Sequence, residues 1–301
     1  MADTLVKDLI DAGIHFGQLK SGWNPKMGPY IYGVRNKIHI IDIRETIKGL
    51  LIAKRFLQEV VASGKNVCIV GTKRQAKVAV EEVATELGMP WVTERWLGGT
   101  LTNFKTIRSR LKRLEELEAL VESGEIASYS KKMESQLMRE KRKITRNLQG
   151  IRNMRKLPGA MIIVDTTRES NALREARAMK IPTVCLLDTD GDPDVTDIPI
   201  PGNDDSMRSI ELILRELGKA ITAGKEGRRS TDSEAKKSGN DGEQEQGSSR
   251  RSSRPNRGEL SASAVAQQTV EGEAVTATAT ATEMPPATDT PPATDETPPS
   301  T

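Results

Sequence analysis

Short runs of continuous apolar residues alternate with amphipathic helical patterns along the first two thirds of the chain. The strand-like runs are KIHIID (37–42), NVCIVG (66–71), WV (91–92), GAMIIVD (159–165) and TVCLLD (183–188). Between them, ETIKGLLIAKRFLQEVVASG and KRQAKVAVEEVATELG have helical periodicity and end at Gly64 and Gly88, while ESNALREARAMK is stopped by Ile181-Pro182. A last helix is predicted from about Ser206 to Ile221, with Met207, Ile210, Leu214, Leu217 and Ile221 at steps of three and four. Strands that are apolar at every position need cover on both faces. The alternation therefore predicts an α/β fold with a Rossmann-like, doubly wound parallel sheet. Such sheets bind ligands at the carboxyl ends of their strands, here the turns near Gly71, Asp165 and Asp188.

Residues 103–156 break the alternation. At 100° per residue, Phe104, Ile107, Leu111, Leu114 and Val121 fall within one arc of about 100°. SGE (123–125) interrupts the pattern, and a second helix then puts Met133, Leu137, Ile144, Leu148 and Ile151 on a narrow stripe. Two such helices with a short connection predict an inserted antiparallel coiled-coil hairpin. Opposite the second stripe, Lys132, Arg139, Arg142, Lys143 and Arg146 share a face with no acid among them. The stretch WLGGTLTNFK (96–105) joins sheet to hairpin. Gly98 and Gly99 allow a tight turn, Thr102 or Asn103 caps the first arm helix, and Lys105 and Arg108 are placed for phosphates.

Charge sharpens this picture. The whole chain carries 45 Lys/Arg and 42 Asp/Glu, a formal +3. Residues 103–156 alone hold 15 basic and 7 acidic side chains, so the excess positive charge is concentrated in the insertion. That concentration points to a polyanionic partner. Residues 223–301 are Ser, Thr, Pro, Ala, Gly, Gln and Glu with few large apolar side chains, and PPATD recurs near the end. Such a segment buries too little apolar surface to offset its ordering entropy, so a disordered tail is expected after an α/β domain at 1–222. Its SSRRSSRPNR cluster (248–257) reads as a solvated charge run.

Catalytic signatures are absent. Gly71 follows a strand, but the chain contains neither GxGxxG nor GxxxxGK[ST]. His15 and His39 are the only imidazoles, with no GxSxG beside them, so no enzyme is expected. Cys68 and Cys185 lie in apolar runs without CxxC spacing, which suits buried thiols in a reducing cytoplasm. No apolar run approaches membrane-spanning length, so neither a membrane nor a small-molecule substrate is expected. DTDGDPD (188–194) and NDD (203–205) offer hard oxygen ligands, although Asp204 and Asp205 also suit capping of the last helix.

AGIHFG (12–17), WNPKMGPYIYGVRNKIHIIDI (23–43), RWLGGTLTNFKTI (95–107), MRKLPGAMIIVD (154–165) and IPIPGNDDSMRSI (198–210) occur in order across residues 3–221. These long strings resemble the bacterial small-subunit ribosomal protein S-two family. The resemblance implies an α/β domain with a protruding coiled-coil hairpin, serving as a structural constituent of the small ribosomal subunit. It implies binding to small-subunit rRNA at the head–body junction, other small-subunit proteins as neighbours, and a part in seating the mRNA-binding protein S-one. No cofactor is required by it. A divalent ion, zinc or magnesium, shared by His15, Asp188, Asp204 and Asp205 is the one candidate. Gln18 stands where the family often has a second histidine.

Overall fold

The computed structural model describes residues 2–241; the chain from 242, including the 248–257 cluster and the PPATD repeats, lies outside the described residues. Helix α1 (Ala2–Asp11) leads into strand β1 (Phe16–Leu19), and β2 (Ile31–Arg35) and β3 (Ile38–Ile41) complete an antiparallel sheet in the order β1-β3-β2. KIHIID thus belongs to this small sheet and not to the parallel one. Its direction is fixed by a two-residue turn, Asn36 and Lys37, at φ 51° and 64°. Positive φ at both central residues is what a tight hairpin turn demands.

The second sheet is built from β4 (Val67–Val70), β5 (Trp91–Val92), β6 (Ala160–Val164), β7 (Thr183–Leu187) and β8 (Ile198–Pro201). All its pairings are parallel, in the order β5-β4-β6-β7-β8, so the chain changes direction of travel between β4 and β6. Helices α2 (Ile43–Ala62), α3 (Lys77–Leu87) and α7 (Met207–Asp241) cover one face. Helices α4 (Phe104–Glu122), α5 (Lys131–Leu148) and α6 (Ser170–Ala178) cover the other.

The strands divide their side chains accordingly. Val67 and Ile69, Ala160, Ile162 and Val164, and Val184 and Leu186 join the core under α2, α3 and α7. Cys68 and Val70, Met161 and Ile163, and Cys185 and Leu187 join the core under α4, α5 and α6. This two-sided burial is why every position of β4, β6 and β7 is apolar or nearly so. It also pushes both thiols up to about 12, so Cys68 and Cys185 are inert packing residues.

Glycine sets the approach of α2 to its neighbours. A Cβ on Gly49 would collide with the Pro199 carbonyl of β8, and one on Gly224 would come 2.7 Å from the Gln58 carbonyl. Neither backbone carbonyl can swing aside. Gly49→Ala should therefore cost about 2 kcal/mol through overpacking. Thermal melting would read that as a drop of about 4–8 °C.

Helix α7 runs well beyond Ile221, into residues expected to belong to the tail. Contacts beyond the apolar stripe hold the helix as far as Arg228. Gly224 packs on α2, the Lys225 ammonium donates to the Leu87 carbonyl, and Arg228 lies beside Gly64. Ser206 caps the helix, its Oγ accepting from the Ser209 N–H at 3.4 Å. Asp204 and Asp205 do not; they point elsewhere.

Candidate nucleic-acid interface

The roots of α4 and α5 are part of the second core. Ile107, Leu111, Leu114 and Leu117 of α4 are buried, as are Ile144 and Leu148 of α5 and Ile151 just after it. Leu117, rather than Val121, continues the α4 stripe, and Met133 at the far end of the α5 stripe is 45% exposed. The two helices are linked by a 3-10 turn at Glu125–Ser128 and by an ion pair between Arg113 and Glu140 at 3.7 Å. Gly150 lets the chain return beneath Trp91, whose ring and carbonyl leave no room for a Cβ.

WLGGTLTNFK is held by a residue more than 70 positions away. The Glu175 carboxylate of α6 accepts from Trp96 Nε1 at 3.0 Å and from the N–H groups of Gly99 at 2.8 Å, Leu101 at 3.0 Å and Thr102 at 3.3 Å. Burial raises the Glu175 carboxyl, but these donors outweigh it and hold the group below its ordinary value. Gly99, at φ 87°, makes the turn. Asn103 occupies the N-cap position of α4, yet its side chain makes no cap; Asn103 Oδ1 instead accepts from Thr106 Oγ1 at 2.8 Å.

Lys132, Arg139, Arg142, Lys143 and Arg146 are all exposed on α5. Arg139 Nε bonds the Ser135 carbonyl at 3.2 Å, and Arg142 Nε bonds the Met138 carbonyl at 3.3 Å. Among the described residues their guanidinium groups meet no carboxylate. Arg146 is the departure from the acid-free face, with Nε 3.9 Å from Glu94. On α4, Lys105 is exposed, whereas Arg108 is half-buried and donates to the Met154 carbonyl at 3.4 Å. The five α5 cations form one face, Lys105 lies at the start of α4, and Arg108 is partly committed to structure.

The carboxyl ends of β4, β6, β7 and β8 gather a second group. Oxygens of Asp188, Asp204 and Asp205 lie within 4.8 Å of one another. Lys73 Nζ sits among them, 2.6 Å from both Asp204 and Asp205 and 3.6 Å from Asp165. Burial pulls the ammonium down, but the two close carboxylates hold it above its ordinary value. Burial pushes Asp188 up to about 6, helped by the charges of Asp190 and Asp205. Gln18 Nε2 donates to Asp188 at 3.1 Å and to Asp205 at 2.7 Å. His15 is not in this group. It lines an apolar recess with Val6, Tyr32, Ile40 and Ile47, and its Nδ1 is buried without a partner.

The turn after β4 has no room for a phosphate. The Thr72 N–H donates to Glu169 Oε1 at 3.0 Å, and the Thr72 hydroxyl does the same. A buried carboxylate fills the place where a phosphate loop would hold its anion.

The profile of the family described as ribosomal protein S2 matches residues 9–224. The chain belongs to the ribosomal protein S2 family. A relative from Rhodopirellula baltica, named small ribosomal subunit protein uS2, is 60% identical over 225 residues, covering 75% of this chain and 86% of the relative. Proteins of the same name from Syntrophobacter fumaroxidans and Mycolicibacterium gilvum are 48% and 45% identical, covering 75% and 80% of this chain and 82% and 87% of their own lengths. Family membership makes the chain a structural protein of the ribosome rather than an enzyme. No helix among the described residues is long and apolar enough to cross a membrane.

Glu175 and Lys73 carry no local signal in the sequence that marks them. Glu175 looks like any exposed acid in a helix, and nothing local marks its donors. Lys73 follows a strand in VGTKR, a position that could have been flagged once the acids at the other strand ends were considered together.

Proposed function

We propose that this protein is an rRNA-bound structural constituent of the cytoplasmic small ribosomal subunit. In this reading α4 and α5 act as an antiparallel coiled-coil arm that carries a basic face to rRNA. The observation that carries it is the α5 face itself. Arg139 and Arg142 are exposed, hydrogen-bonded among the described residues only to their own helix, and mounted on an element rooted in the domain core. A-form RNA offers phosphates and 2′-hydroxyls rather than readable base edges, so an array of guanidinium and ammonium groups fixes position and orientation. Lys132, Lys143, Arg146 and Lys105 extend the array, and Arg108 braces its base. Neighbouring small-subunit proteins, with protein S-one among them, are the protein partners of this reading.

A divalent ion, if held, takes Asp188, Asp204 and Asp205 as ligands. Three carboxylates suit magnesium better than zinc, because the His15 ring lies in a separate recess. The Lys73 ammonium and Gln18 amide already bond these oxygens and would have to yield.

If about five arm side chains neutralise phosphates, log K for rRNA should fall with log salt at a slope of roughly −3.5 to −4.5. Filter binding of purified protein to small-subunit rRNA between low and moderate salt measures this. A slope near zero would remove the electrostatic basis of the reading.

A further inference from the structure

A pocket of about 340 Å³ opens at the carboxyl ends of β6 and β7, on the α6 side of the sheet. One wall comes from the turn after β6 and from α6, through Thr166, Ser170, Leu173, Arg174 and Arg177. The facing wall is the segment after β7, with Asp190, Asp192 and Val195, and Asn24 also lines the space. β6 and β7 are parallel neighbours, and ligands of open parallel sheets sit outside such strand ends. The volume falls within the range of small-molecule sites, roughly 300–1,000 Å³. None of these residues is one of the α5 cations or one of the carboxylates paired with Lys73.

The first wall is set up for an anion. The first N–H groups of a helix lack intrahelical acceptors, and at α6 the N-cap residue does not supply one. Glu169 occupies that position, but its carboxylate is taken by the Thr72 N–H at 3.0 Å. Arg174, one turn on from Ser170, is exposed and makes no ion pair or hydrogen bond among the described residues. Thr166 is 4% exposed, and its Oγ1 is buried without a partner. A Cβ on Gly191 would come 2.7 Å from that oxygen, so the hydroxyl lies where the two walls converge. An unpaired buried hydroxyl is costly, and an acceptor on a ligand would recover the cost. The second wall has the complementary chemistry. Asp192 is committed to Lys26 at 2.8 Å, and Arg177 donates to the Asp194 carbonyl at 3.2 Å. Asp190 has no such side-chain partner among the described residues. Burial, and then the charge of Asp165, push its carboxyl above its ordinary value. A hydroxyl donor is what it lacks.

We propose that this pocket binds a nucleoside monophosphate: its phosphate meets Arg174, Ser170 and the α6 N-terminus, and Asp190 accepts from the ribose hydroxyls. The Thr166 hydroxyl donates to a ligand oxygen, and Leu173 and Val195 give the base an apolar surface. The inference is independent of the rRNA reading above. A helix N-terminus for phosphate and a carboxylate for ribose is the division of labour by which parallel sheets hold nucleotides. Phosphate alone would use one wall and leave Asp190 facing an anion. A lysine from a protein partner would suit Asp190 but would meet Arg174 and a helix N-terminus. An RNA strand would bring further phosphates against Asp190 and Asp192. One isolated phosphate joined to a diol satisfies both walls.

Calorimetric titration of the full chain with adenosine 5′-monophosphate, adenosine and inorganic phosphate tests this. The monophosphate should bind saturably at one site, about tenfold or more tightly than either fragment, since each fragment forfeits a charged hydrogen bond. Arg174→Ala should weaken the monophosphate by about tenfold or more while leaving adenosine unchanged. Thr166→Val keeps the side chain's shape. It should also weaken the monophosphate, without lowering the melting temperature, because the hydroxyl has no partner to lose. Arg139→Glu with Arg142→Glu should leave the monophosphate affinity unchanged, which separates this pocket from the α5 face. Absence of monophosphate binding by folded wild type, equal affinity for phosphate alone, or an unaltered Arg174→Ala affinity would each overturn the proposal. So would a Thr166→Val protein that melts lower yet binds normally, since its hydroxyl is then structural. If the monophosphate fails to bind but Arg174→Ala weakens rRNA binding, the pocket takes RNA; the inference is then wrong and the rRNA reading stands.

Discussion

Replacing Arg139, Arg142 and Arg146 together with glutamate should exclude the protein from small ribosomal subunits while leaving its melting temperature within a few degrees of wild type. All three side chains are exposed, and the buried stripe of α5, Ile144 and Leu148, lies on the opposite side of the helix. Among the described residues the only ion pair lost is the 3.9 Å contact of Arg146 with Glu94, an exposed pair of the kind worth about 0–1 kcal/mol. New repulsion with neighbouring glutamates costs a few tenths of a kcal/mol per pair. Binding is affected far more. Hydrogen bonds to charged groups are worth about 1.5–3 kcal/mol each, so losing three weakens rRNA binding roughly a thousandfold or more. The corresponding arginine-to-lysine variant keeps the charge but loses the planar fork, and should show a milder defect. Quantifying the protein in purified subunits from cells expressing each variant separates these outcomes. Normal incorporation of the glutamate variant would show that α5 is not the contact.

Glu175→Ala should lose about 3 kcal/mol of stability, because the alanine leaves the Trp96 and Leu101 donors buried without an acceptor. The Gly99 and Thr102 N–H groups lose the same partner, so the turn from sheet to arm loosens as the domain weakens. Incorporation should fall with it, even though the basic face is untouched. The pH dependence identifies the cause. Glu175 is held below its ordinary carboxyl value in the folded state. Its contribution is therefore present above the unfolded pKa of about 4.3 and is lost as pH falls through the lower folded value. Wild type and Glu175→Ala should differ most near neutrality and converge in acid. Glu175→Gln, which keeps one carbonyl acceptor but points an amide N–H at donors, should fall between them. Equal denaturant midpoints at pH 7 would mean the clamp contributes nothing.

The sequence made the central strands legible for a physical reason. β4, β6 and β7 are buried on both faces, so nearly every residue is apolar and the run stands out whatever its neighbours do. β8 is a different case. IPIP contains two prolines, which fit an edge strand with one partner, β7, but read as a loop when met in sequence. KIHIID reads the same in either kind of sheet, so its pattern does not reveal that it belongs to the antiparallel one. The turn that decides the matter has Lys37 at positive φ rather than glycine. In α4 and α5, spacing locates most of the apolar positions but not where burial ends: Met133, near the start of α5, is 45% exposed. The acid group at the strand ends was visible as residues, while its centre was not. Lys73 satisfies Asp204 and Asp205 from 131 and 132 positions away, and only the parallel sheet brings them together. The family resemblance groups His15 with those acids, but His15 lies in a separate recess, and it is Gln18 that reaches Asp188 and Asp205.

In the proposed function the protein resides on the small subunit through salt-sensitive contacts with rRNA. Sucrose-gradient fractionation of cell lysate, with blotting of each fraction after low-salt and high-salt washes, tests it most directly. Co-sedimentation with small subunits at low salt, lost progressively as salt rises, is the predicted result. Protein confined to the top of the gradient at low salt would contradict it.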